Sequence, residues 1–346
     1  MQTGAVFDDY RQQFPGAPGY LNTGSMGLPP PRTVAAMQAI VDDWQNGRAT
    51  AVQFDDDVAR SRAAFAEMVG APIDTVAIGP QVSALMAIAA TLPDPGARVV
   101  LPEGEFTSVF FPFLARGDLD VRTVPLAELA GAIDDKTDIA LFSVVQSATG
   151  EVADLESIRA AAAATGTLTV ADATQAVGWL PVRATDFDVM ATGAYKWMLC
   201  PRGSAFLTMR PELWDRAQPI YAGWYSGEDP WDSIYDLPFR VASNARRFDL
   251  SPAWFTWVGT RHSLEFVNEV GIDSINEHDV DLANALRAGL GLEPSNSSMV
   301  TFELPEGVDT GRLEGLVTAR RAGKVRVGFH LYNSIDDVDA LLGALQ

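Results

Sequence analysis

Short apolar runs alternate with amphipathic or alanine-rich stretches between residues 76 and 209. Runs at 76–79, 98–102, 120–124, 139–145, 167–172, 188–193 and 204–209 read as strands. The run 139–145 is apolar almost throughout, as expected of a strand covered on both faces. Stretches 81–90, 106–114, 126–132 and 155–165 read as helices between them. This alternation predicts an α/β domain with a mainly parallel sheet covered on both sides. Sites in such folds lie at the carboxyl ends of the strands.

The flanks read differently. Residues 16–32 form a loop rich in Gly and Pro. Two amphipathic helices follow, at 33–45 and 56–69; the first carries Ala36, Met37, Ile40, Val41 and Trp44 at helical spacing. From 210 to 251 the pattern dissolves into an aromatic and glycine-rich segment. It resumes as helix 254–268, helix 273–290, strand 298–303, helix 309–317, strand 324–331 and helix 335–345, a smaller α+β domain. The expected division is an N-terminal segment at 1–32, a large domain at 33–251 and a small C-terminal domain at 252–346.

Composition narrows the partners. The chain has 346 residues, 47% of them hydrophobic, enough for a large core. Its formal charge of −20 repels nucleic acid and anionic membrane surfaces, so neither is expected as a partner. The lone cysteine, Cys200, forbids an intrachain disulfide and fits a cytoplasmic protein. The N-terminus shows no signal-peptide pattern, and no apolar run reaches the ~18 residues of a membrane span. His262, His278 and His330 stand apart without ligand spacing, so no metal is expected.

Two stretches carry the candidate chemistry. Asp172 ends the apolar run 167–172 and is followed by Ala-Thr-Gln. A carboxylate there is poorly solvated and calls for a cationic or hydrogen-bonding partner, unless it is a helix cap or a surface acid. Lys196 stands among Tyr195, Trp197, Met198 and Leu199, where burial lowers an amine's pKa; a snorkelling surface lysine is the alternative. An acid for a pyridinium nitrogen and an imine-forming lysine are the two groups a pyridoxal phosphate enzyme supplies. Gln81, Val82 and Ser83 open a helix after a strand, where free N–H groups either cradle a phosphate or are simply capped. Neither the P-loop nor the G-x-G-x-x-G fingerprint is present, which counts against a nucleotide-binding Rossmann protein. Phe106 begins another helix and is either a ring-stacking residue or a core aromatic.

Taken together, these stretches resemble the class V aminotransferase family of fold-type I pyridoxal phosphate enzymes. That family includes cysteine desulfurases, kynureninase-like enzymes and carbon–sulfur lyases. The resemblance runs from Tyr20-Leu21-Asn22 to Tyr332-Asn333. It is carried by the segment from Ala171 to Gly178, by Tyr195-Lys196-Trp197 with Pro201-Arg202-Gly203, and by the ending from Val325 to Asp337. It implies a large domain with a mainly parallel sheet, a smaller α+β domain, and a homodimer with the site at the interface. It makes Lys196 the Schiff-base lysine and catalytic base, and Asp172 the pyridinium partner. Gln175 and Ser147 would contact the ring's phenolic oxygen; many members have asparagine at the position of Ser147. Gln81, Val82 and Ser83 would hold the phosphate. Phe106 and Tyr195 stand where many members and the desulfurases, respectively, have histidine. Arg247 to Ser251 matches the segment that reaches the neighbouring subunit's phosphate, with Ser251 in place of threonine. Asn22, Trp224 and Arg326 are the substrate-side candidates, and an arginine fork suits a carboxylate. The structural alternative for Arg326 is an ion pair.

The implied reaction begins with removal of the Cα proton of an amino acid joined to the cofactor. Loss of a β substituent, transamination and epimerisation then diverge. Desulfurases use a mobile nucleophilic cysteine on a loop in the C-terminal half, whereas Cys200 sits four residues after Lys196 in a patterned turn and reads as structural. The segment around Trp224 and Tyr225 looks most like carbon–sulfur lyases acting on cysteine conjugates. An aminotransferase or epimerase is the next reading. A non-catalytic protein of the same fold is a third, against which the retention of both Asp172 and Lys196 counts.

Overall fold

The apolar runs pair into one seven-stranded sheet. Its members are β1 (Val76–Gly79), β2 (Arg98–Pro102), β3 (Asp120–Val124), β4 (Ile139–Ser143), β5 (Leu168–Asp172), β6 (Val189–Gly193) and β7 (Ala205–Met209). The computed structural model describes residues 3–305 and 313–346. Strand order is β1-β7-β6-β5-β4-β2-β3. Only β7 is reversed, pairing antiparallel with both β6 and β1; the other pairings are parallel. The carboxyl ends of the six like-directed strands therefore share one edge. Gln81, Phe106, Ser143, Asp172 and Gly193 lie at or just beyond it.

The sheet is a central layer because successive residues feed two different cores. Ala140, Phe142, Ala171, Met190 and Phe206 pack on one face. Ile139, Leu141, Val170, Val189, Ala191 and Leu207 pack on the other. This is the two-residue period of a strand covered on both sides.

The helices are α1 (Thr3–Arg11), α2 (Pro31–Gln45), α3 (Phe54–Met68), α4 (Val82–Ala89), α5 (Thr107–Leu114), α6 (Leu129–Ala132), α7 (Leu155–Thr165), α8 (Trp254–Val270), α9 (Ile272–Gly289) and α10 (Ile335–Ala344). Their ends follow local chemistry. Asp154 accepts from Ser157 N at 3.1 Å to cap α7, which stops at Gly166 in the left-handed region (φ 77°). α4 and α5 contribute Val82, Leu85, Val109 and Phe113 to one core. α3 and α8 contribute Phe65 and Leu264 to the other. Among the described residues no helix is long and apolar enough to cross a membrane.

The second sheet is small and antiparallel: β8 (Met299–Phe302), β10 (Lys324–Gly328) and β9 (Ala319–Arg321), in that order. With α9 and α10 it closes a separate core around Leu286, Val300, Val327 and Leu341. The N-terminal segment is stitched to it. Leu21 O accepts from Gly328 N at 2.9 Å, and Asp337 accepts from Gly19 N at 2.9 Å and from Arg11 at 2.8 Å.

The structure departs from the sequence expectations in a few places. Two elements, α1 and β9, lie where the pattern gives no signal. Stretch 126–132 is a 3-10 turn (Leu126–Glu128) followed by the single turn α6. Of the expected helix 309–317, residues 309–312 lie outside the described residues, and 313–317 are not α-helical.

A buried ion pair holds the segment before Ser251. Asp249 accepts from Arg62 at 2.6 and 3.2 Å and from Ile78 N at 2.8 Å, beneath β1. Asp249→Ala strands the Arg62 charge in the core and should cost about 3–5 kcal/mol. Arg247→Ala, which removes a pair to the exposed Asp215, should cost less than about 1 kcal/mol. Urea-unfolding midpoints of the two variants would check this ranking.

Candidate active site

Lys196 follows β6 by three residues and is only 6% exposed. Its peptide is gripped by neighbouring segments. Tyr195 O accepts from Gly27 N at 3.0 Å, Lys196 O accepts from Leu199 N at 3.1 Å, and Leu199 adopts a positive φ of 59°. Two glycines press on this turn. A Cβ at Gly27 would collide with Lys196 O, and one at Gly178 with the Trp197 carbonyl. The amine Nζ lies 5.7 Å from the Phe106 ring centroid and 5.6 Å from that of Tyr195. Burial lowers the Lys196 pKa from 10.5 to about 8; Asp172 opposes the shift, and Arg326, Arg321 and Arg202 reinforce it.

Asp172 is the last residue of β5 and is 5% exposed. Its Oδ1 accepts from Thr174 N at 2.8 Å and from Thr174 Oγ1 at 2.5 Å. Thr174 Oγ1 in turn accepts from Gly193 N at 2.9 Å, tying β5 to β6. Among the described residues Oδ2 accepts no hydrogen bond, although Asp172 lines the cavity. Burial pushes this carboxyl up, against the Thr174 bonds and the Lys196 charge.

The Gln175 amide is fixed by its partners. The Trp197 indole can only donate, and its Nε1 reaches Gln175 Oε1 at 2.8 Å. The two Gln175 Nε2 hydrogens go to Gly24 O at 2.9 Å and Ser147 Oγ at 3.1 Å. Arg326 Nη1 also reaches Ser147 Oγ, at 3.3 Å. With two donors already aimed at its oxygen, Ser147 has its own O–H free to donate into the cavity.

The structure thus brings nine of the expected residues to one cavity: Gln81, Val82, Ser83, Phe106, Ser147, Asp172, Gln175, Tyr195 and Lys196. Arg326 sits behind this wall, 2% exposed, donating to Ser147 O and, at 3.0 Å, to Ser25 Oγ; no carboxylate pairs with it among the described residues. Asn22 pairs with Gly328, and its Oδ1 is buried without a donor. Trp224 and Ser251 do not line the cavity. Trp224 packs between Tyr225 and Trp231, and Trp231 is tied to Asp55 at 2.6 Å. Ser251 is exposed, just past Leu250, whose N–H pairs with Ile78 O at 3.1 Å.

Other contributors had weaker sequence signals. Glu105 is a buried carboxylate that accepts from Phe106 N and Ser143 N, both at 2.7 Å, and from Ser143 Oγ at 2.5 Å; it sets the Phe106 loop against β4. Arg202 lines the cavity with its guanidinium 5.1 Å from the Tyr195 ring centroid, and no carboxylate pairs with it among the described residues. His330 is fully buried and bonds Trp197 O at 2.9 Å and Asp279 Oδ2 at 3.0 Å. A carbonyl only accepts, so His330 Nε2 carries a hydrogen.

Residues 20–301 match the family model described as aminotransferase class V. The chain belongs to that family. The uncharacterized aminotransferase YcbU of Bacillus subtilis is 28% identical over 302 residues, 80% of each chain. Isopenicillin N epimerase of Streptomyces clavuligerus is 25% identical over 337 residues, 83% of each. The solved complex of the cystine C–S lyase C-DES with its product cysteine persulfide has the same fold. Its TM-score is 0.87 at 21% identity, covering 96% of this chain and 99% of that one.

This class V member is a pyridoxal phosphate-dependent enzyme. Its donor set fits the cofactor. A buried carboxylate with one oxygen unsatisfied suits a pyridinium N–H, and a lysine with a depressed pKa suits its aldehyde. The first N–H groups of α4, with Ser83 and the Arg202 cation, suit its phosphate.

The depressed pKa of Lys196 has a sign that can be checked. Folding the cofactor-free protein opposes protonation of this amine, which destabilises the fold fully below pH 8. The penalty fades as pH rises from about 8 toward 10.5. The urea midpoint of wild type relative to Lys196→Met should therefore rise across that window. A difference that is flat with pH would contradict it.

Proposed function

We propose that this enzyme is a carbon–sulfur lyase that acts by β-elimination on an S-substituted cysteine. Bound pyridoxal phosphate supplies an electron sink for the α-carbon of an amino acid joined to it. The protein's part is to hold and move protons around that sink. Asp172 Oδ2 would keep the ring nitrogen protonated, and Ser147 would donate its O–H to the phenolic oxygen. Lys196 Nζ would take the Cα proton as general base, for which a pKa of about 8 is well matched near neutral pH. Phe106 and Tyr195 flank that amine and limit water around it. Arg326, one residue behind Ser147, is the candidate for the substrate carboxylate.

The observation that carries the reading is the environment of Cys200. The chain's one thiol is 4% exposed, and burial pushes its pKa up. It reaches Met198 O at 3.3 Å and Thr260 O at 3.8 Å. A thiol so placed is a poor nucleophile, which disfavours desulfurase chemistry and leaves the sulfur to depart on the substrate's own fragment. The similarity to an aminotransferase and an epimerase supports transamination or epimerisation as the second reading.

The working unit in this reading is a homodimer in the cytoplasm. Ser251 is exposed and away from its own chain's cavity, so its contribution would be to a second copy. Tyr235, Leu237 and Phe239 are 82%, 88% and 69% exposed, an apolar stretch of the kind that subunit association covers.

Three outcomes are expected. The loaded enzyme should be yellow and bleached by borohydride, while Lys196→Ala should take up no such colour. S-substituted cysteines should yield pyruvate and ammonia; keto-acid-dependent amino transfer without pyruvate would favour the aminotransferase. In sedimentation at micromolar concentration the enzyme should be dimeric, and a monomer fully loaded with cofactor would remove the role given to Ser251.

A further inference from the structure

Two guanidinium groups share one hydroxyl just behind the cavity wall. Arg326 on β10 donates Nη2 to Ser25 Oγ at 3.0 Å, and Arg321 on β9 donates Nη2 to the same oxygen at 3.3 Å. The register explains the meeting. Arg326 is opposite Ala319 and Arg321 is opposite Lys324, so Arg326 and Arg321 lie on one face of the small sheet as diagonal neighbours. Like charges at such positions repel.

Among the described residues neither guanidinium pairs with a carboxylate. The other contacts of Arg326 are Ser147 O and Ser147 Oγ, and that of Arg321 is Arg320 O at 2.7 Å. The chain has 45 acidic residues against 25 basic ones, and Arg11, Arg62 and Arg261 all have acidic partners. Acids are plentiful, yet among the described residues this pair is left without one. The consequence is felt nearby: burial and then the Arg321 charge lower Arg326 to about 10, and both arginines help to lower Lys196.

One substrate α-carboxylate can saturate one guanidinium fork. The second cation would remain in a like-charge contact. We propose that the substrate carries a second anionic group beside its α-carboxylate. Arg326 takes the α-carboxylate and Arg321, which is exposed on β9, takes the other anion as both release Ser25. The substrate class is then a cysteine conjugate whose sulfur substituent bears a carboxylate or sulfonate. This rests on the lyase reading above.

A matched pair of probes tests it. S-carboxymethyl-L-cysteine and S-carbamidomethyl-L-cysteine have nearly the same shape and differ by one charge. With the cofactor-loaded enzyme, Kd comes from the change in the visible spectrum and kcat/KM from pyruvate release. The carboxymethyl conjugate should be preferred about tenfold, the worth of one charge-assisted hydrogen-bonded pair. In Arg321→Gln the ratio between the two conjugates should fall to near one. Equal binding by wild type, or a preference that survives in Arg321→Gln, would overturn the inference while leaving the lyase reading intact. If neither conjugate changes the spectrum nor releases pyruvate, the lyase reading itself fails and takes this inference with it.

Discussion

A carboxylate and an amine of opposite charge are both held out of water at the ends of neighbouring strands, and the rest of the structure serves that arrangement. Asp172 ends β5, and Lys196 stands three residues past β6. Each alone is disfavoured in its charged form by burial. Each lies in the field of the other, but neither is fully satisfied. A protonated pyridine ring and an aldehyde would offset both costs together. Glu105 is a second buried carboxyl, raised by burial and lastly by the Asp172 charge, against the hydrogen bonds from Ser143 and Phe106.

The small domain is joined to that pair by polar contacts as well as packing. Asp279 on α9 meets His330, His330 meets the Trp197 carbonyl, and the Trp197 indole meets Gln175. Every member of this series is buried. Burial drives His330 down to about 3 and raises Asp279, which favours the uncharged form of each. The unpartnered Asp279 Oδ1 agrees with this, since a bare carboxylate oxygen there would be far more costly than a neutral carbonyl. Neutral hydrogen bonds thus span the gap between domains without adding charge near Lys196.

The sheet was legible because its strands, the edge strand β3 apart, are buried on both faces and so contain little but apolar residues. Runs 139–145 and 167–172 are the clearest, and the structure trims each only at an end. β9 was not legible: Ala319-Arg320-Arg321 is short, mostly exposed and charged, and only its pairing with β10 makes it a strand. In the site, Asp172 and Lys196 were legible as a pair because strand ends are where this fold gathers its chemistry. Gln81 to Ser83 and Phe106 stood out as helix starts after strands, while Ser147, Gln175 and Tyr195 came from likeness to the family. Glu105, Arg202, Ser25 and His330 were not singled out because their meaning lies in who faces them across the chain. Arg202 is ten or more residues from any acid on either side, and nothing local reveals that it lacks an acidic partner among the described residues. Trp224 and Ser251 show the converse: a family-like position does not put a side chain into the cavity of its own chain.

The two glycines against the Lys196 turn have a consequence for how such an enzyme could be remodelled. Gly27 and Gly178 are far apart in sequence, yet both abut the same few peptide units. A single added carbon at either place would have to move the lysine's own backbone. The inner surface is therefore a mould with no slack, and a designer seeking a new specificity would find no room there. The freedom lies outward, on β9, where Arg320 and Arg321 are exposed and a change of size meets no packed backbone.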